Sequence, residues 1–91
     1  MATREYYADL EAQIRRLLQA LDDVLSVAQR AEVDQFLNHG EYGLSLSTLA
    51  WILVDDCLSV TSTDMKEIFR LATTMHVEED LPPSLKGHAR G

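Results

Sequence analysis

Apolar residues recur three and four positions apart along most of the chain, and this spacing places them on one face of an α-helix. The first segment shows the spacing at Leu10, Ile14, Leu17, Leu18 and Leu21. The longest unbroken apolar run, Leu49–Val54, has six residues, which is too few to cross a bilayer. Taken alone, the run also fits a strand, but the residues on both sides continue the helical spacing without turn residues. The sequence therefore predicts an all-α protein.

Local signals divide this periodic sequence into helices. Thr3 is the candidate N-cap of the first helix, whose apolar spacing falters at Asp22 and Asp23 without a proline or glycine to mark the break. Ser26, followed three residues later by Gln29, forms a capping-box pattern that begins a second helix. Such side chains satisfy backbone N–H groups that the first turn of a helix leaves unpaired.

Two glycines predict a tight corner between the second and third helices. The second helix is expected to end at His39, because Gly40 suits the left-handed conformation that closes helices and His39 can serve the last carbonyls. Glu41 then lies in the first turn of the third helix, where its charge meets the positive end of the dipole. This third helix is apolar around most of its circumference, so we expect it to be the central, buried element with Trp51 in the core.

Thr61 and Asp64 match a capping box that begins a fourth helix. We expect this helix to fray in the acidic stretch before Pro82, since acidic residues oppose the dipole at a helix C-terminus. The sequence therefore predicts a small antiparallel bundle of about four helices. Residues 1–80 form the single helical domain, and residues 81–91 form a proline-containing C-terminal tail or surface strap.

The net charge of −7 is concentrated in the middle of the chain, where residues 17–65 contain eight acidic residues and one basic residue, Arg30. Such a field repels nucleic acid and anionic membranes and speeds encounter with basic partners. Solubility alone is the alternative reason for it. The N-terminal segment is charged from Arg4 onward and does not fit a secretory signal. We therefore expect a cytoplasmic protein that binds neither nucleic acid nor membrane.

Residue types that carry catalysis are present but scattered. The three histidines and Cys57, the single cysteine, show no metal-ligand spacing. Adjacent aspartates such as Asp55 and Asp56 point about 100° apart on a helix and do not converge as an acid–base pair. We expect Cys57 to be buried and His76 half-buried, and we predict no catalytic activity, metal or cofactor. A small hydrolase that pairs Cys57 with a histidine is the enzymatic alternative.

The corner between the second and third helices reads His39-Gly40-Glu41-Tyr42-Gly43-Leu44-Ser45-Leu46. It resembles the signature of the MafI-type immunity proteins, which are small, acidic, all-helical bacterial proteins that neutralise a co-encoded polymorphic toxin. Asp55, Asp56 and Leu58, and the layout of the fourth helix, are similar to that family as well, so the resemblance covers roughly residues 25–79. Ser45 stands where the family usually has alanine, and Ser47 where it usually has an acidic residue.

The resemblance implies that the chain inhibits a toxin by binding it stoichiometrically. Such toxins are often nucleases, whose clefts are basic because they hold phosphate, and an acidic helical face can fill or flank such a cleft. The expected contact residues are Glu32, Asp34, Glu41, Tyr42, Asp55 and Asp56. Tyr42 is the candidate aromatic anchor of that set.

A small helical adaptor or regulatory domain is the alternative from another class. Such a protein would have no toxin partner, and as a homodimer it would bury spare apolar surface against a second copy of itself. The presence or absence of a basic protein partner distinguishes the two hypotheses.

Overall fold

The computed structural model describes residues 4–90, so the candidate N-cap Thr3 lies outside the described residues. Within this range the chain forms four α-helices: α1 (Arg4–Ala20), α2 (Val27–Asn38), α3 (Tyr42–Asp55) and α4 (Ser62–Met75). Two 3₁₀ segments follow, Glu78–Asp80 and Pro83–His88. The prediction of an all-α protein with about four helices is confirmed.

The third helix, α3, is the centre of the fold, because it packs against α1, α2, α4 and the second 3₁₀ segment. Its inner side chains Leu46, Leu49 and Leu53 have no exposed surface. The apolar stripe of α1 faces this core as its spacing predicts, and Ile14 and Leu18 are fully buried. Each such side chain contributes about 1.5–3 kcal/mol through the area it removes from water. The core therefore forms around α3.

Trp51 departs from the prediction that α3 is buried on nearly all sides. Its side chain is 45% exposed, and its indole N–H donates to the backbone carbonyl of Asp80 at 2.9 Å. Leu44, seven residues earlier on the same face, is 51% exposed. The neighbouring elements cover only part of the circumference of α3, so the expectation of Trp51 in the core is wrong.

The starts of α2 and α4 follow the capping signals of the sequence. The Ser26 hydroxyl accepts from the N–H of Gln29 at 3.1 Å, and the Gln29 side chain accepts from the N–H of Ser26 at 2.8 Å. The Thr61 hydroxyl accepts from the N–H of Asp64 at 3.1 Å. Both predicted helix starts are confirmed, since caps of this kind depend on residues close in sequence.

The ends of α2, α3 and α4 share one motif. Each is followed by a residue at positive φ, namely Gly40 (73°), Cys57 (52°) and His76 (58°). The N–H of the next residue donates to the carbonyl five positions back, at 2.9 Å in all three cases, which is a Schellman ending. Cys57 and His76 are exposed, so the expectations of a buried cysteine and a half-buried histidine are wrong. Both residues terminate helices instead of continuing an apolar face.

The C-terminal strap, which we define as residues 81–90, belongs to the same core as the helices. Leu81 is 6% exposed and Leu85 is fully buried. Pro83 begins the second 3₁₀ segment, because its fixed φ suits a first helical position. Leu81 and Leu85 therefore pack in the same hydrophobic cluster as the four helices.

A short parallel pairing holds the end of the strap in place. Val60–Thr61 (β1) pairs with Ala89–Arg90 (β2), and it is the only pairing of this kind that residues 4–90 contain. The imidazole Nε2 of His88 lies 2.6 Å from the carbonyl oxygen of Leu58. These contacts attach the end of the strap to the segment between α3 and α4.

Candidate protein-binding surface

The corner between α2 and α3 brings the start of α3 against the end of α4. Gly40 takes the positive φ that reverses the chain at little steric cost. At Gly43, in the first turn of α3, a Cβ would stand 3.1 Å from Cγ1 of Val77. His39 Nδ1 lies 2.7 Å from the carbonyl oxygen of Gln35, so it serves the end of α2 as predicted. The tight corner predicted from the two glycines is confirmed.

An open groove of about 840 Å³ lies beside this corner. Its walls are the start of α1 at Tyr6, Tyr7 and Leu10, the corner at residues 40–44, and the end of α4 at residues 74–77 together with Asp80. Three separate parts of the chain thus converge on one concave surface. We call this surface the aromatic groove.

Three tyrosines form a connected group in the aromatic groove. The rings of Tyr7 and Tyr42 stack with centroids 6.1 Å apart and an interplanar angle of 29°. Tyr6 meets Tyr7 edge to face at 5.3 Å, and its hydroxyl donates to the carbonyl of Thr74 at 3.4 Å. Tyr6 and Tyr7 are 38% and 46% exposed. They present aromatic surface to solvent from a helical backbone, as binding anchors do.

Tyr42 is fixed in position by a carboxylate. Its half-buried hydroxyl donates to Oε1 of Glu11 at 3.2 Å, and Arg15 Nε donates to Oε2 of the same carboxylate at 3.0 Å. Burial, followed by this hydrogen bond and the charge of Glu11, raises the pKa of Tyr42 above its ordinary value, while Arg15 acts in the opposite direction. The phenol of Tyr42 therefore remains protonated and held in the wall of the groove at neutral pH.

The sequence prediction included Tyr42 among the candidate contact residues but omitted Tyr6 and Tyr7, which share the groove with it. A signal for them existed, because Tyr6 and Tyr7 lie four and three positions before Leu10 and extend the apolar face of α1 toward its start. That part of the face passes beyond the core and reaches the groove.

The aromatic groove also contains acidic side chains that form no ion pair with the described part of the chain. Glu41 and Asp80 line the groove, and the same lining contains one histidine and neither lysine nor arginine. Within residues 4–90, the carboxylates of Glu41 and Asp80 have no ion-pair partner, whereas Asp34 and Glu67 each contact arginine. Glu41 is the N-cap residue of α3, and its side chain caps no backbone N–H. Both carboxylates therefore remain available to a partner.

Glu32 and Asp34 lie on α2 and not in the groove. Glu32 is exposed. Asp34 is half-buried, and its carboxylate lies 3.6 Å from Arg15 Nη1 and 3.5 Å from Arg30 Nε. Asp34 is therefore engaged in an internal ion-pair cluster, and Glu32 is the freer of the two.

Asp55 and Asp56 lie at the opposite end of α3 from Glu41 and Tyr42. Thirteen helical steps separate Tyr42 from Asp55, which corresponds to about 20 Å along the axis. Both aspartates are exposed, and Asp56 accepts a hydrogen bond from the side chain of Gln29. The structure therefore brings Glu41 and Tyr42 together and places the other four predicted contact residues elsewhere.

No protein-family model, curated protein or solved structure matches the chain. Among the described helices, none combines the length and the apolar character that crossing a membrane requires. Residues 4–90 also contain no group of three or more His, Cys, Asp or Glu side chains arranged to hold a metal ion.

Proposed function

We propose that this chain is a MafI-type immunity protein that binds a cognate bacterial toxin in the cytoplasm and inhibits it stoichiometrically. The observation that carries the proposal is the aromatic groove, since it forms at the corner on which the family resemblance rests. Glu41 and Tyr42 of that corner line the groove. The exposed rings of Tyr6 and Tyr7 beside this corner, and the unpaired carboxylate of Glu41, suit inhibition through protein–protein contact.

The charge of the chain favours a basic toxin, such as a nuclease. A nuclease cleft is positive because it holds phosphate, and the chain carries a net charge of −7. Opposite charge accelerates encounter with such a surface and orients the two proteins before they dock. The immunity protein then competes with nucleic acid for the same cationic side chains.

Co-expression with the product of the adjacent upstream gene tests this proposal. We expect the chain to restore growth of cells that produce the toxin and to co-purify with it in a one-to-one complex. Glu41→Lys should weaken rescue, because it reverses a free charge in the groove. Asp23→Lys makes the same charge change at an exposed position outside the groove lining and is the matched control. Absence of rescue and of complex with the unaltered chain contradicts the proposal.

A homodimeric adaptor is the second candidate, and exposed apolar side chains favour it. Val27, Leu44 and Trp51 are 89%, 51% and 45% exposed. Sedimentation equilibrium of the purified chain separates the candidates: the toxin proposal expects a complex with a second gene product, and the adaptor expects a tight dimer whose dissociation is sensitive to Leu44→Ser. A tight dimer from a locus without a toxin gene supports the adaptor.

A further inference from the structure

We propose that the aromatic groove receives an arginine side chain of the partner, with the guanidinium on the tyrosine rings and between the carboxylates of Glu41 and Asp80. The identity of the partner rests on the proposed function, whereas the chemistry of the occupant follows from the groove. The inference therefore specifies which type of residue in the toxin anchors the complex.

The rings supply the first part of the argument. Tyr7 is nearly half exposed, stacks on Tyr42 and meets the edge of Tyr6. An aromatic face attracts a cation within about 6 Å of its centroid. Arginine suits this surface best, because its planar guanidinium stacks on rings and is weakly hydrated.

The carboxylates supply the second part. Of the acidic side chains in the described chain, Glu11, Asp22, Asp34 and Glu67 contact arginines of the same chain. Glu41 and Asp80 have no such contact and lie in one groove lined by neither lysine nor arginine. A guanidinium fork can donate to two carboxylates at once, and such charge-assisted bonds are roughly twice as strong as neutral ones. The complement of this groove is a cation with several donors.

The helix ends at the groove do not reverse this preference. The groove adjoins the starts of α1 and α3 and the ends of α2 and α4. Helix N-termini carry partial positive charge and C-termini partial negative charge, so two ends of each kind offset one another. Glu41 and Asp80 are the acidic residues of the lining, which contains neither lysine nor arginine, so the side chains that line the groove favour a cation.

A peptide probe tests the inference without any toxin. A short acetylated peptide in which arginine alternates with glycine is titrated into the isotope-labelled full chain, and amide shifts are followed by NMR. The control peptide replaces every arginine with citrulline, which keeps the shape of the side chain and removes its charge. We expect salt-sensitive, saturable shifts at Tyr6, Tyr7, Glu41, Tyr42 and Asp80 with the arginine peptide only.

Variants of the chain separate the ring contribution from the charge contribution. Tyr7→Phe should retain binding of the arginine peptide, whereas Tyr7→Leu should weaken it roughly threefold or more through loss of the ring face. Glu41→Gln should weaken it by a similar factor and reduce its salt dependence. Asp23→Asn removes an acidic charge outside the groove lining and should leave binding unchanged. Circular dichroism and thermal unfolding confirm that each variant is folded.

The outcomes distinguish this inference from the proposed function. Equal shifts with the arginine and citrulline peptides, or shifts centred on Asp22, Asp23 or Asp55, overturn the arginine site. The arginine site is also overturned if a second copy of the chain occupies the groove at the concentration used for NMR. Toxin neutralisation that persists in Tyr7→Leu and Glu41→Gln preserves the proposed function and overturns only the site. If the arginine peptide binds but the chain does not restore growth of toxin-producing cells, the arginine site stands and the proposed toxin partner is contradicted.

Discussion

Val77 lies against Gly43, with its Cγ1 3.1 Å from the position that a Cβ of residue 43 would occupy. This contact joins the start of α3 to the turn that ends α4, and it sets the spacing of two walls of the aromatic groove. The pairing of the smallest residue with a branched side chain is therefore a condition for the shape of the groove.

We expect Gly43→Ala to lower the free energy of unfolding by about 1 kcal/mol, because the added methyl group requires Val77 to shift. In a Val77→Ala background the same change should be neutral or stabilising, since alanine favours helix over glycine. Denaturant unfolding of the four proteins gives the coupling energy. Gly87→Ala is the control, because a Cβ there meets nothing within 4 Å. An equal effect of Gly43→Ala in both backgrounds contradicts the contact.

The strap gives a second prediction. Leu85→Ala should destabilise the protein by about 2–5 kcal/mol, since Leu85 is fully buried and its removal leaves a cavity. Leu44→Ala is the matched control, because the same side chain is 51% exposed there and makes a much smaller contribution. Urea denaturation of both variants checks the difference. Similar midpoints for the two would show that the strap is not part of the core.

The Schellman ending of α3 gives a third prediction, on the stability of a Cys57 variant. Cys57 has a φ of 52°, which costs a residue with a Cβ about 1–2 kcal/mol. Glycine removes this strain but loses about 0.5–1 kcal/mol to backbone entropy. We expect Cys57→Gly to stabilise the protein slightly, whereas Ala12→Gly, at an exposed position within α1, should destabilise it by about 1 kcal/mol. Effects of the same sign in thermal unfolding contradict the positive φ.

The exposure of Cys57, the single cysteine, gives a fourth prediction, on its chemical modification. Cys57 follows the end of α3 opposite the groove, so iodoacetamide should alkylate it fully in the native protein while leaving toxin neutralisation unchanged. Mass spectrometry measures labelling, and the growth assay measures neutralisation. Loss of neutralisation on alkylation, with the fold intact, would contradict a contact surface confined to the groove.

The environment of Tyr42 gives a fifth prediction, on pH. Its pKa is raised above the ordinary 10.0 by burial and by Glu11. The folded state therefore holds this proton more tightly than the unfolded state, so its contribution to stability is present below pH 10 and is lost as pH rises through the raised value. Ultraviolet titration should show a late-ionising tyrosine that Tyr42→Phe removes. If the component that Tyr42→Phe removes ionises at the ordinary tyrosine pKa of 10.0, this environment is contradicted.

The local signals of the sequence predicted the helix boundaries well. Ser26, Gln29, Thr61 and Gly40 act on backbone groups within a few residues, so their effect does not depend on the rest of the fold. The burial of Trp51 was mispredicted, because burial depends on which elements cover each face of α3. The composition of a helix shows how apolar it is, but it does not show how many other helices pack around it.

The candidate site was predictable only in part. Glu41 and Tyr42 lie at a recognisable glycine corner, and the structure places both in the groove. Tyr7 and Asp80 belong to the same surface, but they come from segments far apart in sequence, and no local pattern predicts their meeting. Charge density alone also selected Asp34, which the fold uses in an internal cluster with Arg15 and Arg30.

The burial of Leu81 and Leu85 has a consequence for synthesis of the protein. Ribosomes make the chain from its N-terminus, so all four helices emerge before these two leucines do. Until residue 85 has left the exit tunnel, the nascent helices lack part of their apolar core and display it to chaperones and to neighbouring chains. The order of the sequence thus delays the native state until almost all of the described chain has been translated.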